Sequence, residues 1–371
     1  MKVSLVHDYL REYGGAEKVL EVLNEVWKDA PIYTATYEQD LMEKSGLEVP
    51  PPLVHTAFTQ FLPFRYQLRK HYFFLYPLAF RSLNLDSDVI LSSCSYAAKF
   101  INKKRSLHIC YLHSVPKFLW GYETETPSLE TIFIDNYLKP IYKGILPQMK
   151  RILRKMDFEA AQKVDFFVAN SLITQERIKK HYGLSSKVIY PPVDINEFGG
   201  EVVDKGYFLV ISRLSKFKKI EIAAEAFNKF NKPLKIVGDG QESANLKRLS
   251  NSNIEFLGRV SRERISELLL ECTALVFPTD EDFGIVPVEA MAAGKPVIAF
   301  RGGGALETVV EGKTGKFFDY QTSQSLLKVL KEFDPSRYNA RDCREQAKRF
   351  SKERFKKEIK VFLEGAWKNR T

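Results

Sequence analysis

Eleven short runs, continuously apolar and rich in β-branched residues, recur along the chain in two series with one break between them. The first series is VSLVHDY (3–9), PIYTAT (31–36), DVILSS (88–93), HICYLH (108–113), VDFFVANS (164–171) and KVIYPP (187–192). The second is YFLVIS (207–212), LKIVGDG (234–240), IEFLG (254–258), TALVFP (273–278) and PVIAF (296–300). Runs without polar alternation suit strands buried on both faces, as in parallel sheets. Helical patterns lie between many of them; over 16–27, Ala16, Val19, Leu20, Leu23 and Trp27 share one face. This is the βαβ rhythm of doubly wound α/β sheets. Residues 191–206, PPVDINEFGGEVVDKG, lack periodicity and read as a linker. The expectation is two Rossmann-like domains, 1–190 and 191–350, with a final helix over 351–371 packing back toward the first. Two such domains facing each other form a central cleft lined by strand C-terminal ends and helix N-termini, where a nucleotide binds.

The 371 residues suffice for two domains of ordinary size. Cys94, Cys110, Cys272 and Cys343 show no CxxC spacing, which argues against a zinc site and a disulfide framework and fits a reducing compartment. The start, MKVSLVHDYL, reads as a first strand rather than a signal peptide. The longest apolar run, YFFLYPLAF (72–80), is far shorter than the ~20 residues of a membrane helix. The net charge of +10 admits nucleic acid, an anionic membrane surface or small anionic ligands as partners. No zinc finger, RNP-type or helix-turn-helix pattern accompanies it, so nucleic acid is not expected.

The stretch FPTDEDFGIVPVEAMAAGKPVIAF (277–300) places Glu281 in a loop after a strand and Glu289 about one turn into the next helix, where Pro287 suits the first turn. A buried, unpaired carboxylate costs several kcal/mol, so Glu289 needs a surface position or a partner. Carboxylates accept hydroxyl hydrogen bonds well, which makes vicinal diols natural partners. The structural alternative has Glu289 serving the helix N-terminus and Glu281 solvated. In SRLSKFKK (212–219), Arg213 and Lys218 follow a strand and precede a helix, an arrangement suited to a diphosphate; the alternative is a solvated basic loop. Asp86-Ser87-Asp88 is a DxD of the kind that holds a divalent cation, but it precedes a strand and reads as a polar strand entry.

Together with HDYLREYGGAEKVL, YLHSVPKFLW, VANSLITQERIKKHYG, VIYPPVD, IVGDGQE and EFLGRVS, these stretches resemble the retaining glycosyltransferases of GT-B fold called group 1, or glycosyltransferase family 4, over nearly the whole chain. The YLHSVPKFLW stretch resembles the branch holding polysaccharide mannosyltransferases. The resemblance implies a nucleotide-sugar donor as substrate, no metal, no cofactor, and a hexose moved onto a saccharide or lipid-linked glycan acceptor. Mannose from GDP-mannose is the favoured donor; a UDP- or ADP-sugar is the alternative. It also implies roles. Glu289 binds ribose hydroxyls, and Glu281 contacts the donor sugar with backbone N–H groups around Gly284, Ile285 and Val286. Arg213 and Lys218 neutralise the diphosphate, and Val260 grips the base through its backbone. Gly14-Gly15 lets the backbone approach the phosphates, and His113 lies near the reacting centre. Asp8, ending the first strand, holds acceptor hydroxyls. Family members often carry Gly where this chain has Lys219, so a different loop backbone is expected there. Asn170-Ser171 caps the next helix, and Glu307 orders a loop.

Residues 58–85 interleave aromatics with Arg65, Arg69, Lys70, His71 and Arg81; residues 139–157 add Lys139, Lys143, Lys150, Arg151, Arg154 and Lys155. Both readings stand: docking on an anionic leaflet, or amphipathic helices with core aromatics. A cytoplasmic protein is expected, and docking would make it peripheral on the cytoplasmic face of the membrane. Two other function classes compete. An NAD-type oxidoreductase lacks support, because the first loop has Gly14-Gly15 without GxGxxG. A catalytically inactive GT-B binding protein is disfavoured by the joint presence of His113, Arg213, Lys218, Glu281 and Glu289.

Overall fold

The computed structural model describes residues 1–11, 13–63, 72–122 and 139–370. It forms two compact units, Met1–Tyr190 with Phe355–Thr371, and Pro191–Arg354.

The first unit is built on a seven-stranded sheet. Its strands are β1 (Val3–His7), β2 (Ile32–Thr34), β3 (Val54–Thr56), β4 (Val89–Cys94), β5 (Leu107–Leu112), β6 (Phe166–Ala169) and β7 (Ser186–Val188). The order is β3-β2-β1-β4-β5-β6-β7, and neighbouring strands run parallel. Along β1, Leu5 joins one apolar cluster and Val6 another, the two-residue alternation of a strand covered on both faces. The helix Lys352–Lys368 closes one face: Phe355, Ile359, Leu363 and Ala366, spaced by helical turns, sit in the cluster with Leu5 and Leu91. Each large apolar side chain buried there contributes about 1.5–3 kcal/mol.

A polar knot crosses the other face. Lys99 and Asp157 are fully buried, with Nζ 2.7 Å from Oδ1. Lys99 Nζ also donates to the Tyr96 carbonyl at 2.6 Å. The second Asp157 oxygen accepts from the Tyr182 hydroxyl at 2.7 Å and the Trp120 indole at 2.9 Å. Burial alone would strip Lys99 of its proton; the Asp157 carboxylate outweighs it and holds the lysine above its ordinary pKa. The knot ties the loop after β4 to the helices Lys139–Ala161 and Leu172–Tyr182. Ser171 caps the second of these by accepting from the Thr174 N–H, as its position before the helix implies.

The second unit holds a six-stranded sheet of order β10-β9-β8-β11-β12-β13, again with parallel neighbours. Its strands are β8 (Phe208–Ile211), β9 (Leu234–Val237), β10 (Ile254–Gly258), β11 (Ala274–Phe277), β12 (Val297–Phe300) and β13 (Gly315–Phe318).

Two strands and one loop depart from the sequence reading. β3 and β13 are edge strands of three and four residues, VHT and GKFF, too short to stand out as apolar runs. The stretch 191–206 is no free linker. Phe198 is fully buried, and Val193 is bonded through its backbone to Phe350 and Lys352 at 2.9 and 3.0 Å. One buried aromatic with its flanking hydrogen bonds anchors a segment whose composition otherwise suggests a loop.

Candidate functional site

In each sheet the connections leave in opposite directions from one pair of adjacent strands, β1/β4 in the first unit and β8/β11 in the second. At such a switch point the strand C-terminal ends open a crevice, the usual place for a ligand in open α/β sheets. The chemistry-bearing residues collect at these two points.

In the second unit, the loop after β8 carries Arg213, which is exposed, and Lys218; the loop after β11 carries Glu281. Lys218 Nζ and Glu281 Oε1 are 2.6 Å apart. The Thr279 hydroxyl donates to the Lys218 carbonyl at 2.9 Å and holds the two loops in register. The helix Ile285–Ala292 starts at once, with Gly284 as its N-cap at φ +82°. Ile285 and Val286 therefore occupy its first turn, where N–H groups point out of the helix. Lys219 takes φ +54° and ψ 32°, so the loop adopts a glycine-like left-handed backbone without a glycine.

The glycines of the flanking strands fix these loops by contact. A Cβ on Gly238, after β9, would lie 1.8 Å from the Ser212 carbonyl oxygen. A Cβ on Gly304, after β12, would lie 2.2 Å from the Phe283 carbonyl oxygen, and its N–H donates to the Glu281 carbonyl at 2.8 Å. Only glycine permits these approaches. The backbones bearing Arg213 and Glu281 are thus held from outside by their neighbours.

Glu289 is buried at 3% exposure, and its chain partner is Arg262, Nη1 to Oε1 3.0 Å. The same guanidinium bonds Glu197 Oε2 through Nε at 3.0 Å and lies 5.2 Å over the Phe198 ring. Arg262 opens the helix Arg262–Glu271, capped by Ser261, immediately after the partly buried Val260. Sequence reasoning missed Arg262. The visible signal was a basic residue directly after a serine cap in GRVSRER, and nothing in its spacing pairs it with Glu289.

In the first unit, His113 directly follows β5 and sits partly buried, its N–H donating to the Cys94 carbonyl of β4 at 2.8 Å. Its Nε2 is 2.7 Å from Ser93 Oγ, Ser93 Oγ is 3.1 Å from His7 Nδ1, and His7 Nε2 is 3.3 Å from Glu17 Oε1. Gly14 caps the helix Gly15–Val26, whose first turn carries Glu17. The helix N-terminus and His113 therefore share the β1/β4 switch point. His7, Ser93 and Glu17 also escaped the sequence reading; only their positions at strand ends and after Gly-Gly hinted at them.

Asp8, expected to hold acceptor hydroxyls, is engaged by the chain's own backbone. Its two carboxylate oxygens accept four backbone N–H bonds, from Ser95 and Tyr96 at 2.6 and 2.9 Å and from Ala97 and Ala98 at 2.7 Å each. With its acceptor capacity taken, Asp8 caps the 3-10 turn Ala98–Phe100 and shapes the loop after β4. The DxD is also engaged elsewhere. Asp86 pairs with Lys2 at 2.9 Å, and Asp88 accepts the Lys2 N–H at 2.7 Å, at the strand N-terminal ends. Among the described residues no group of three or more His, Cys, Asp or Glu is placed to hold a metal ion.

Burial, aided by the neighbouring His7, pushes His113 down to about 3; burial, aided by Lys103, does the same to His108. Unfolded histidines take a proton near pH 6.5. Between these values the unfolded chain binds more protons, so stability is full above pH ~6.5 and falls as pH drops toward 3. The expected slope is about 1.4 kcal/mol per pH unit for each histidine. Trp27, Trp120 and Trp367 all lie in the first unit, so urea titrations followed by tryptophan fluorescence between pH 6.5 and 5 read this directly. A flat profile would refute it.

Of the two basic stretches, Arg65, Arg69, Lys70 and His71 lie outside the described residues, as do the side chains of Lys139 and Lys143. The remainder divides. Tyr76, Phe80 and Leu153 are core, whereas Phe58, Phe61, Phe74, Leu78, Ile152 and Phe158 are exposed near Arg81, Lys150, Arg151, Arg154 and Lys155 in sequence. Among the described residues no helix is long and apolar enough to cross a membrane.

Comparison with known proteins places these features in company. Residues 194–350 match the model for glycosyl transferases group 1, and residues 13–197 that for glycosyltransferase family 4. The alpha-1,3/1,6-mannosyltransferase ALG2 of Dictyostelium discoideum is 31% identical over 202 residues, 41% of this chain and 48% of the relative. ALG2 of Candida glabrata is 26% identical over 376 residues, 84% of this chain and 78% of the relative. The chain spans about half the length of several of the curated relatives it matches. Among solved structures, Anabaena Alr3699/HepE in complex with UDP-glucose is 22% identical with a TM-score of 0.70, over 98% of this chain and 100% of that one. Sucrose-phosphate synthase from Thermosynechococcus elongatus, 15% identical, gives 0.73 over 100% of both. These likenesses establish the two-Rossmann GT-B fold.

Proposed function

Because the chain belongs to the group 1 glycosyltransferases, with a family 4 N-terminal half, we propose that it transfers a hexose from a nucleotide-diphosphate sugar to a saccharide or lipid-linked glycan. Transfer proceeds with retention and needs neither metal nor cofactor. Mannose from GDP-mannose is the favoured donor, supported by the mannosyltransferase names of the ALG2 relatives. The observation that carries the reading is the β8/β11 switch point of the second unit. There Lys218, Glu281 and the N-terminus of the helix Ile285–Ala292 meet on loops held by Gly238 and Gly304.

In this reading Arg213 and Lys218 neutralise the diphosphate as it leaves, charge stabilisation aimed at the transition state. Glu281 meets sugar hydroxyls with the N–H groups around Gly284, Ile285 and Val286. Glu289 takes the ribose hydroxyls, with Arg262 bonded to its carboxylate inside the unit. Val260 lies where the base is gripped through backbone atoms. Gly14-Gly15 approaches the phosphates, and His113 lies near the reacting centre. The exposed aromatics and basic side chains of the first unit favour docking on an anionic membrane surface at its cytoplasmic face, which suits a lipid-linked acceptor.

A UDP-sugar is the second reading, favoured by the solved neighbours that hold UDP or UDP-glucose. Thermal unfolding with GDP, UDP, ADP and NAD, each with and without EDTA, decides. A ligand at 100 times its Kd stabilises by about 2.7 kcal/mol. GDP protection unchanged by EDTA and lost in Arg213→Ala is the expected result. UDP protection alone would move the donor to a UDP-sugar, and protection by NAD alone or by none would overturn the reading.

A further inference from the structure

We propose that Glu17, His7 and Ser93 form a hydrogen-bond relay of fixed direction that holds His113 as its Nε2–H tautomer, with Nδ1 left as a pure acceptor. The inference rests on the transferase reading only for what Nδ1 then meets. The relay itself rests on geometry within one unit. Its three links are 3.3 Å from Glu17 to His7, 3.1 Å from His7 to Ser93, and 2.7 Å from Ser93 to His113. His7, Ser93 and Glu17 are 2%, 0% and 7% exposed, so water competes little for these bonds.

The direction follows from one end. A carboxylate only accepts, and the first turn of a helix favours its negative charge. His7 Nε2 must therefore carry the hydrogen that it gives to Glu17. With His7 neutral, its imidazole has one donor and one acceptor, so Nδ1 is bare and receives the Ser93 hydroxyl hydrogen. Ser93 Oγ, having donated, accepts from His113, and His113 Nε2 carries the hydrogen. His113 Nδ1 is then a lone pair, and among the described residues no hydrogen bond reaches it.

The consequence is a rule of specificity. His113 demands a group that brings its own hydrogen, a sugar hydroxyl, and repels a phosphate or carboxylate oxygen in the same place. It also cannot donate a proton from Nδ1. Glu17, His7 and Ser93 are positioning residues: they act on the ligand through His113.

The test uses the full chain labelled with 15N at its six histidines, read by long-range 1H–15N correlation, with His113→Asn serving to assign the signals. In the wild type, His113 is expected as Nε2–H, with that hydrogen protected from solvent exchange. In Glu17→Gln the terminal amide can donate as well as accept. The direction is then no longer imposed, and Nδ1–H His113 should appear as a second population. In Ser93→Ala the Nε2–H signal should lose its exchange protection. With a turned-over nucleotide sugar, Glu17→Gln should lower kcat about 10-fold, typical of an outer-shell partner, and move KM less than about 2-fold.

Nδ1–H His113 in the wild type overturns the relay. So does an Nε2–H that exchanges as freely as in an unfolded chain, or spectra left unchanged by both variants. Absence of turnover with every nucleotide sugar would sink the transferase reading instead, while the tautomer spectra would still decide the relay.

Discussion

Lys218→Ala is expected to lower kcat about 10²- to 10³-fold, the range seen when one preorganised charge-stabilising group is removed from a transition state. Lys218 lies in the loop after β8 and reaches across to Glu281 at 2.6 Å, at the switch point beside the helix Ile285–Ala292. In the proposed reaction a cation there would face the charge that develops as a diphosphate departs. The loss cannot be explained by unfolding. The Lys218 and Glu281 side chains keep 15% and 27% exposure, and a partly solvated pair of this kind contributes about 1 kcal/mol or less to stability. Melting should therefore shift little while turnover collapses. Lys218→Arg keeps the charge and should recover part of the rate, since a guanidinium spreads its donors over a planar fork. A Lys218→Ala enzyme within about 3-fold of wild-type kcat would remove this lysine from the leaving-group site.

Lys99→Met should destabilise the first unit by about 3–5 kcal/mol, because it leaves Asp157 charged in the core without its cation. Both side chains of the pair are at 0% exposure, so no solvent relieves the change. The measurement is urea unfolding followed by tryptophan fluorescence, with Trp120, which donates to Asp157, as an internal reporter. The double variant Lys99→Met/Asp157→Leu is the control. Removing both charges should restore most of the loss, since a buried pair exchanged for apolar groups of similar volume is often close to neutral. A single variant as stable as the double would mean that Asp157 is not charged in the folded unit. The knot anchors the loop after β4 that Asp8 caps, and Ser93 lies one residue before the end of β4.

The two-sheet α/β fold was legible because every central strand is covered on both faces. A strand with two dry faces is buried at each position, and the apolar runs VIL and LVF carry that requirement into the sequence. The edge strands β3 and β13 escaped for the same reason, since three- and four-residue strands at a margin need no long apolar run. Phe198 escaped because one buried ring inside a Pro- and Gly-rich stretch has no period to show.

The candidate site divides along a similar line. Glu281, Arg213 and Lys218 were visible because charges stand out in short loops between apolar strands, and Glu289 because a carboxylate stands out in an otherwise apolar helix. The partners were not. Arg262 lies 27 residues from Glu289, and Ser93 lies 20 from His113 and 86 from His7. No spacing rule joins such residues; the parallel register that sets β1 beside β4 and β4 beside β5 does. Asp8 shows the converse. Its type and place at a strand end suggested ligand chemistry, yet the loop after β4 folds four N–H groups onto it. Local sequence determined which residues can carry charge or donate hydrogen and where the strands deliver them. Tertiary structure alone decided which of those groups are already satisfied, because a hydrogen bond depends on a few tenths of an ångström between atoms that the chain brings together only when both sheets are complete.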